Sequence, residues 1–419
     1  MGRMVFMPRR ALARRLTVVV LAALVVVVGL AACAGEDREY QAASRSRVAA
    51  SAVDDTRAAF GRAAQALHDR DRDAYDAALP ARGTDARKAL GDLYRRLSPL
   101  PWVSFSFLVT PVPGYDGRFL VQACGRLRGV GPSDRLAGER ILEVEAGGGQ
   151  VTVVGDQTPK PVRRQYLMAF DEPLALRRNG LVVVGDRRAR RWLESIAAAS
   201  SGARARLERL AIGSDEGVLV TVYRSGSQMS AAFAGGISDE RMRFFAHSTP
   251  RRDPAPWRRY DVAVLGPELT GLGASVERVL AHELTHAYTV DWFLATEHAP
   301  TLLLEGLAEV VDGVGDGDSA ALREELRAGN RLWPLSDALA TGDLWSGNSY
   351  GDIDLAYTMA ESLVAYVVSE WGVEALKPFC QAVADSDLSR GGLDRATRAS
   401  LGVGWSRFYA GWRRSVLGS

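Results

Sequence analysis

The chain has 419 residues and a formal charge of +2, with 47% apolar and 24% charged residues. That balance belongs to a folded globular chain and excludes a disordered or low-complexity one. Five arginines fall within the first 32 residues, and without them the remainder carries −3, so overall charge gives no reason to expect a nucleic-acid partner.

Arg3, Arg9, Arg10, Arg14 and Arg15 form a basic start. An almost unbroken apolar run follows from Leu16 to Leu30. It is short for a transmembrane helix and has the layout of an export signal. It ends in Leu30-Ala31-Ala32-Cys33, which resembles the lipobox of a bacterial lipoprotein. That resemblance implies a signal peptide over residues 1–32 and lipidation at Cys33. It also implies a lipidated tether over 33–47, a small, polar and charged stretch. An uncleaved signal anchor is the alternative. Either way the rest of the chain lies on the extracytoplasmic face of the cell membrane. Lysine occurs only at Lys88, Lys160 and Lys377 while arginine is abundant, a bias that fits a GC-rich, actinobacterial genome.

A remainder of about 390 residues is long enough for two or more domains. The first spans residues 48–157. Val53, Ala58, Phe60, Ala64, Leu67, Tyr75 and Leu79 recur at helical spacing, and a second short helix is expected over 87–97. The period then changes to that of strands, over 102–109, 118–127, 140–145 and 150–154, with glycine-rich turns between them. Helices followed by an antiparallel sheet predict a small α+β module. It is similar to the nuclear-transport-factor or cystatin-like modules of exported bacterial proteins. It holds no cluster of titratable groups, so its expected role is a spacer or a binding platform. Residues 158–179 read as a connector.

Residues 180–419 form the second domain. Strands over 181–184, 218–223, 241–245 and 260–265, with a helix over 187–210, predict a mixed sheet. Cys124 and Cys380 fall in different domains. They are either one disulfide or two separate buried thiols.

After the sheet comes His282-Glu283-Leu284-Thr285-His286, an H-E-x-x-H pattern. Residues four apart share one face of a helix, so both imidazoles can reach a single ion. A chance H-E-x-x-H arises in on the order of a few per thousand chains of this length and histidine content. A catalytic zinc site takes three protein ligands and keeps a position open. Eighteen residues separate His286 from Glu305, which lies in Leu303-Leu304-Glu305-Gly306-Leu307-Ala308.

With these two segments the chain resembles the gluzincin metallopeptidases, and the second is similar to the W-L-x-E-G-x-A of the aminopeptidase-N branch. The resemblance covers roughly the second half of the chain. The expected fold class is α+β: the N-terminal helix-plus-sheet module, then, as the resemblance implies, a gluzincin-like catalytic domain. That domain would consist of a mixed sheet, two zinc-bearing helices and a helical C-terminal part.

The resemblance implies Zn²⁺ held by His282, His286 and Glu305. It makes Glu283 the general base and acid and places Glu309, one turn after Glu305, as the carboxylate that orients a histidine ligand. Residues 357–366 are similar to the aminopeptidase-N segment in which one tyrosine precedes another by nine. On that match Tyr357 is the oxyanion donor and Tyr366 a packing residue, with Tyr350 in reserve. The strand over 260–265 is expected at the edge of the sheet, where an extended peptide can pair with it.

No G-x-M-E-N-like segment precedes Tyr260, so a free amino terminus has no holder of that kind. The expectation is therefore a membrane-tethered zinc endopeptidase acting on peptide or protein substrates. The alternative is a non-catalytic surface lipoprotein with a structural zinc site and a partner-binding N-terminal module.

Overall fold

The computed structural model describes residues 50–131, 134–159, 165–213, 215–233, 244–248, 260–272, 275–293, 300–313, 319–328 and 353–418. The signal peptide, Cys33, the tether and Tyr350 lie outside them.

The chain begins with α1 (Ala50–Asp69), α2 (Arg72–Ala78) and α3 (Thr84–Leu97). The single helical period expected up to residue 80 is broken once. Arg70 takes a positive φ of 61° and Asp71 caps α2 by accepting from the Ala74 amide at 2.9 Å. Four strands follow as an antiparallel meander: β1 (Trp102–Pro111), β2 (Arg118–Leu127), β3 (Arg135–Gly147) and β4 (Gln150–Asp156). Gly148 and Gly149 both have positive φ and close the β3–β4 hairpin with a two-residue turn that suits the sheet's twist. Phe60 of α1 meets Phe107 of β1 edge to face, with ring centroids 5.6 Å apart.

The second sheet is built from β5 (Pro173–Arg178), β6 (Leu181–Asp186), β7 (Val218–Tyr223), β8 (Phe244–Ser248) and β9 (Tyr260–Leu265). Its order is β5-β6-β7-β9-β8, with β6, β7 and β9 parallel and the two outer strands antiparallel to their neighbours. The stretch expected to be a connector therefore contributes β5 to this sheet. Asn179 and Gly180, both at positive φ, form the turn that sends β5 into β6.

The strand over 260–265 was expected at the sheet's edge and is not there. β9 lies between β7 and β8, and the outer strand is β8. Pairing with β7 on one side and β8 on the other puts it inside.

α4 (Arg190–Glu208) links β6 to β7, and the short α5 (Gly226–Ala232) follows β7. After β9 the chain is helical: α6 (Gly266–Leu272), α7 (Ser275–Thr289), α8 (Thr301–Asp312), α9 (Ser319–Arg327), α10 (Ile353–Trp371), α11 (Leu376–Ala384), α12 (Arg390–Leu401) and α13 (Trp405–Leu417). The chain is thus a mixed α and β fold with one antiparallel and one mixed sheet. No helix among the described residues is long and apolar enough to cross a membrane.

β6 and β7 are buried at every position, which requires cover on both faces. On one face Val183, Val220, Val222, Val262 and Val264 pack with the helices α4, α7, α8 and α10. On the other, Val182, Val184, Leu219, Tyr223 and Ala263 share a core with α1, α3 and the meander. The N-terminal module is therefore the back wall of the second sheet and not a detached spacer. Arg135 of β3 and Asp261 of β9 lock the two together. The arginine Nε donates to both carboxylate oxygens at 3.1 and 2.9 Å, with both side chains buried. Arg96 of α3 adds a bond to Asp171 at 2.9 Å.

Candidate metal centre

α7 and α8 run antiparallel. Arg278, near the start of α7, donates to Asp312 at the end of α8 at 2.6 Å. Arg206 of α4 binds Glu277 of α7 and the Asp312 carbonyl, each at 3.0 Å. Gly313, at a φ of 73°, ends α8 in the left-handed conformation that glycine adopts without strain. These ties set the register of the two helices, and the register decides which side chains meet.

His282 and His286 project from one face of α7 with their Nε2 atoms 3.3 Å apart. Glu305 Oε2 of α8 lies 3.5 Å from the first and 3.6 Å from the second. All three residues are buried, with Glu305 wholly so. They make the one group of three or more histidine, cysteine or acidic residues, among the described residues, whose ligand atoms all fall within 4.8 Å of one another. The histidines and the downstream glutamate singled out in the sequence therefore converge.

Three polar atoms of this cluster lack a well-formed hydrogen bond among the described residues. Neither oxygen of Glu305 nor Nδ1 of His286 has a partner of good geometry. A buried carboxylate left that way costs on the order of several kcal/mol. A cation among the three ligand atoms would remove the cost. Two imidazole nitrogens and one carboxylate oxygen suit a zinc-type divalent ion. The residues fit the group that the sequence motif implies.

Other carboxylates surround the cluster. Glu309 Oε1 sits 3.5 Å from His282 Nδ1. Burial pushes the Glu309 carboxyl up to about 7; His282 opposes this, while Asp312, Glu305 and Glu361 reinforce it. Burial alone would depress the His282 pKa, but Glu305, Glu309 and Glu283 outweigh it and the pKa is raised. Burial likewise pushes Glu305 up, and the two histidines bring it below the usual carboxylate range.

Glu283 is buried beside His282, within electrostatic reach of both His282 and Tyr357. Tyr357 of α10 is also buried. Its hydroxyl interacts with the Glu305 carboxylate, and its pKa is held well above the ordinary value by burial and by Glu305, Glu309 and Glu283. Tyr357 thus joins the site. Tyr366 does not; it packs against Trp371 and Phe408 at ring distances of 5.5 and 5.6 Å. Glu361 is a member that sequence reasoning missed. It is buried one turn after Tyr357, close enough to Glu309 to raise its pKa. Its signal was present, since positions 357 and 361 share a helix face.

Comparison with protein-family models, curated proteins and solved structures returns no match for this chain.

Proposed function

We propose that this chain is a zinc-dependent peptidase of gluzincin type. The observation that carries the proposal is the convergence of His282 Nε2, His286 Nε2 and Glu305 Oε2 in the buried interior, where neither Glu305 oxygen has a well-formed hydrogen bond among the described residues. Those three residues would hold the ion. A bound Zn²⁺ would supply Lewis acidity, which lowers the pKa of water so that it can give up a proton and attack a carbonyl at neutral pH.

The chain's own groups do the rest. Glu283 accepts the proton of the attacking water as the water oxygen bonds to the peptide carbon. The same carboxyl then returns that proton to the leaving nitrogen as the carbon–nitrogen bond breaks. Tyr357 donates a hydrogen bond to the oxyanion that develops on the carbonyl oxygen. Its raised pKa keeps the hydroxyl protonated, as a donor must be. Glu309 Oε1, 3.5 Å from His282 Nδ1, would accept from it and so fix the tautomer and the ring's orientation.

β8 is the outermost strand beside β9 among the described residues, and an extended substrate would pair along its far side. Endopeptidase action is favoured because no G-x-M-E-N-like segment precedes Tyr260 to hold a free amino terminus. Anchoring through a lipid on Cys33 would keep the enzyme at the outer membrane surface. Loss of fatty-acid labelling in Cys33→Ala tests that part.

The central experiment measures metal content together with cleavage of a mixed peptide library by the purified full chain. One zinc per chain is expected, with cleavage that a chelator stops and added zinc restores. His282→Ala, His286→Ala and Glu305→Ala should each lose the ion. Bound zinc without cleavage of any peptide would favour the scaffold alternative. Full zinc occupancy in Glu305→Ala would remove Glu305 from the ligand set.

A further inference from the structure

α8 and α10 approach each other more closely than two side-chain-bearing helices can at one point, and that point adjoins the metal centre. Gly306 follows Glu305 directly. A Cβ built on Gly306 would fall 2.3 Å from the carbonyl oxygen of Ala360, 2.7 Å from its carbon and 2.9 Å from Val364 Cγ2. The first two are backbone atoms of α10 and cannot rotate away. Ala360 and Val364 are themselves buried, so α10 has no slack on the contact side. Any side chain at 306 must push the two helices apart.

Tyr357 sits on α10 one turn before Ala360, and its hydroxyl reaches Glu305, the neighbour of Gly306. The glycine contact and the Tyr357–Glu305 contact therefore belong to one helix pair and one spacing. We propose that Gly306 is a positioning residue for Tyr357: its missing side chain sets the α8–α10 spacing that brings the tyrosine hydroxyl to the Glu305 carboxylate. The kinetic part of this rests on the peptidase proposal, whereas the spacing itself does not.

The test compares Gly306→Ala, Tyr357→Phe and the double variant in the full chain, loaded with Co²⁺ for spectroscopy and with Zn²⁺ for kinetics. Visible absorption of Co²⁺ responds to the ligands around it, and Tyr357 acts on one of them, Glu305. Gly306→Ala should shift the cobalt bands in the same direction as Tyr357→Phe, and the double variant should shift them no further. Turnover should fall in Gly306→Ala through kcat, toward the roughly 10²–10³-fold loss expected when one oxyanion donor is removed. The double variant should be no slower than Tyr357→Phe alone.

Val364→Leu adds bulk at the same contact from the α10 side and is the variant to use if Gly306→Ala does not fold. It should give the same pattern with a smaller amplitude. A folded Gly306→Ala or Val364→Leu with unchanged cobalt bands overturns the proposal. So does a loss that multiplies on top of Tyr357→Phe, or a band shift when Tyr357→Phe gives none. Should the zinc-loaded chain cleave nothing, the peptidase proposal fails, while the cobalt comparison still decides the role of Gly306.

Discussion

Glu309 Oε1 lies 3.5 Å from Nδ1 of His282, across the ring from the Nε2 that faces His286 and Glu305. The two nitrogens thus have separate partners, and the carboxylate holds the ring with Nε2 turned inward. Glu309→Ala should leave all three ligands in place and weaken zinc binding by roughly 10–100-fold, the usual cost of losing such an orienting partner. Competition with a chromophoric chelator measures it. Unchanged affinity in a folded variant would make Glu309 a bystander.

Arg135 and Asp261 give a second prediction, about the whole fold. Both are buried, and their ion pair bridges β3 to β9. Arg135→Ala removes the guanidinium from a buried carboxylate and should cost about 3–5 kcal/mol, whereas replacing both partners with apolar residues should cost much less. Because the N-terminal module shares a core with the second sheet, both should unfold in one transition in denaturant. A module that melts by itself, well separated from the rest, would contradict that shared core.

The convergence of the candidate metal ligands was legible because the spacing that produces it is local. Two histidines four apart on a helix fix their own geometry, and Glu305 and Glu309 repeat that spacing on the next helix. Strand periods also placed most of the sheets, and 118–127, 218–223 and 260–265 end where the strands end. Sheet order was not legible. Whether residues 260–265 lie at an edge depends on where β8 pairs, a non-local choice that no period in β9 records. β5 was missed although its turn was visible, since Asn179-Gly180 is a strong hairpin signal next to the Leu181 strand. The role of Gly306 was hidden as well, because a close helix approach is a property of the partner helix as much as of the glycine.

The cysteines supply a third prediction. Cys124 and Cys380 are both buried and are not joined by a disulfide, and they lie in separate parts of the core. Burial raises the Cys380 pKa far above the ordinary thiol range, so it stays a thiol through neutral and mildly alkaline pH. Only the thiolate reacts. Native protein should therefore resist alkylation at both positions from pH 7 to 9, where an exposed thiol gains reactivity steeply. Unfolding in denaturant without reductant should then expose both, as peptide mapping would show. Failure to label them until a reductant is added would mean that the two are paired.

Glu283→Gln separates an enzyme from a scaffold. Glutamine is nearly isosteric, so packing beside the buried His282 barely changes and the ligand set of His282, His286 and Glu305 is untouched. Zinc content and thermal stability should stay close to those of the parent. What glutamine cannot do is accept a proton at neutral pH. The attacking water then keeps its proton, and the leaving nitrogen receives none. Loss of a positioned general base costs roughly 10²–10⁴ in rate. The expected result is a zinc-loaded, folded variant with cleavage reduced by that factor on every peptide the parent cuts. A variant that cuts as fast as the parent would remove Glu283 from the chemistry and leave proton transfer to another group of the site. A variant that also loses its zinc would show Glu283 holding the ion's site together, and the rate measurement would then have to be repeated at saturating metal to separate the two roles.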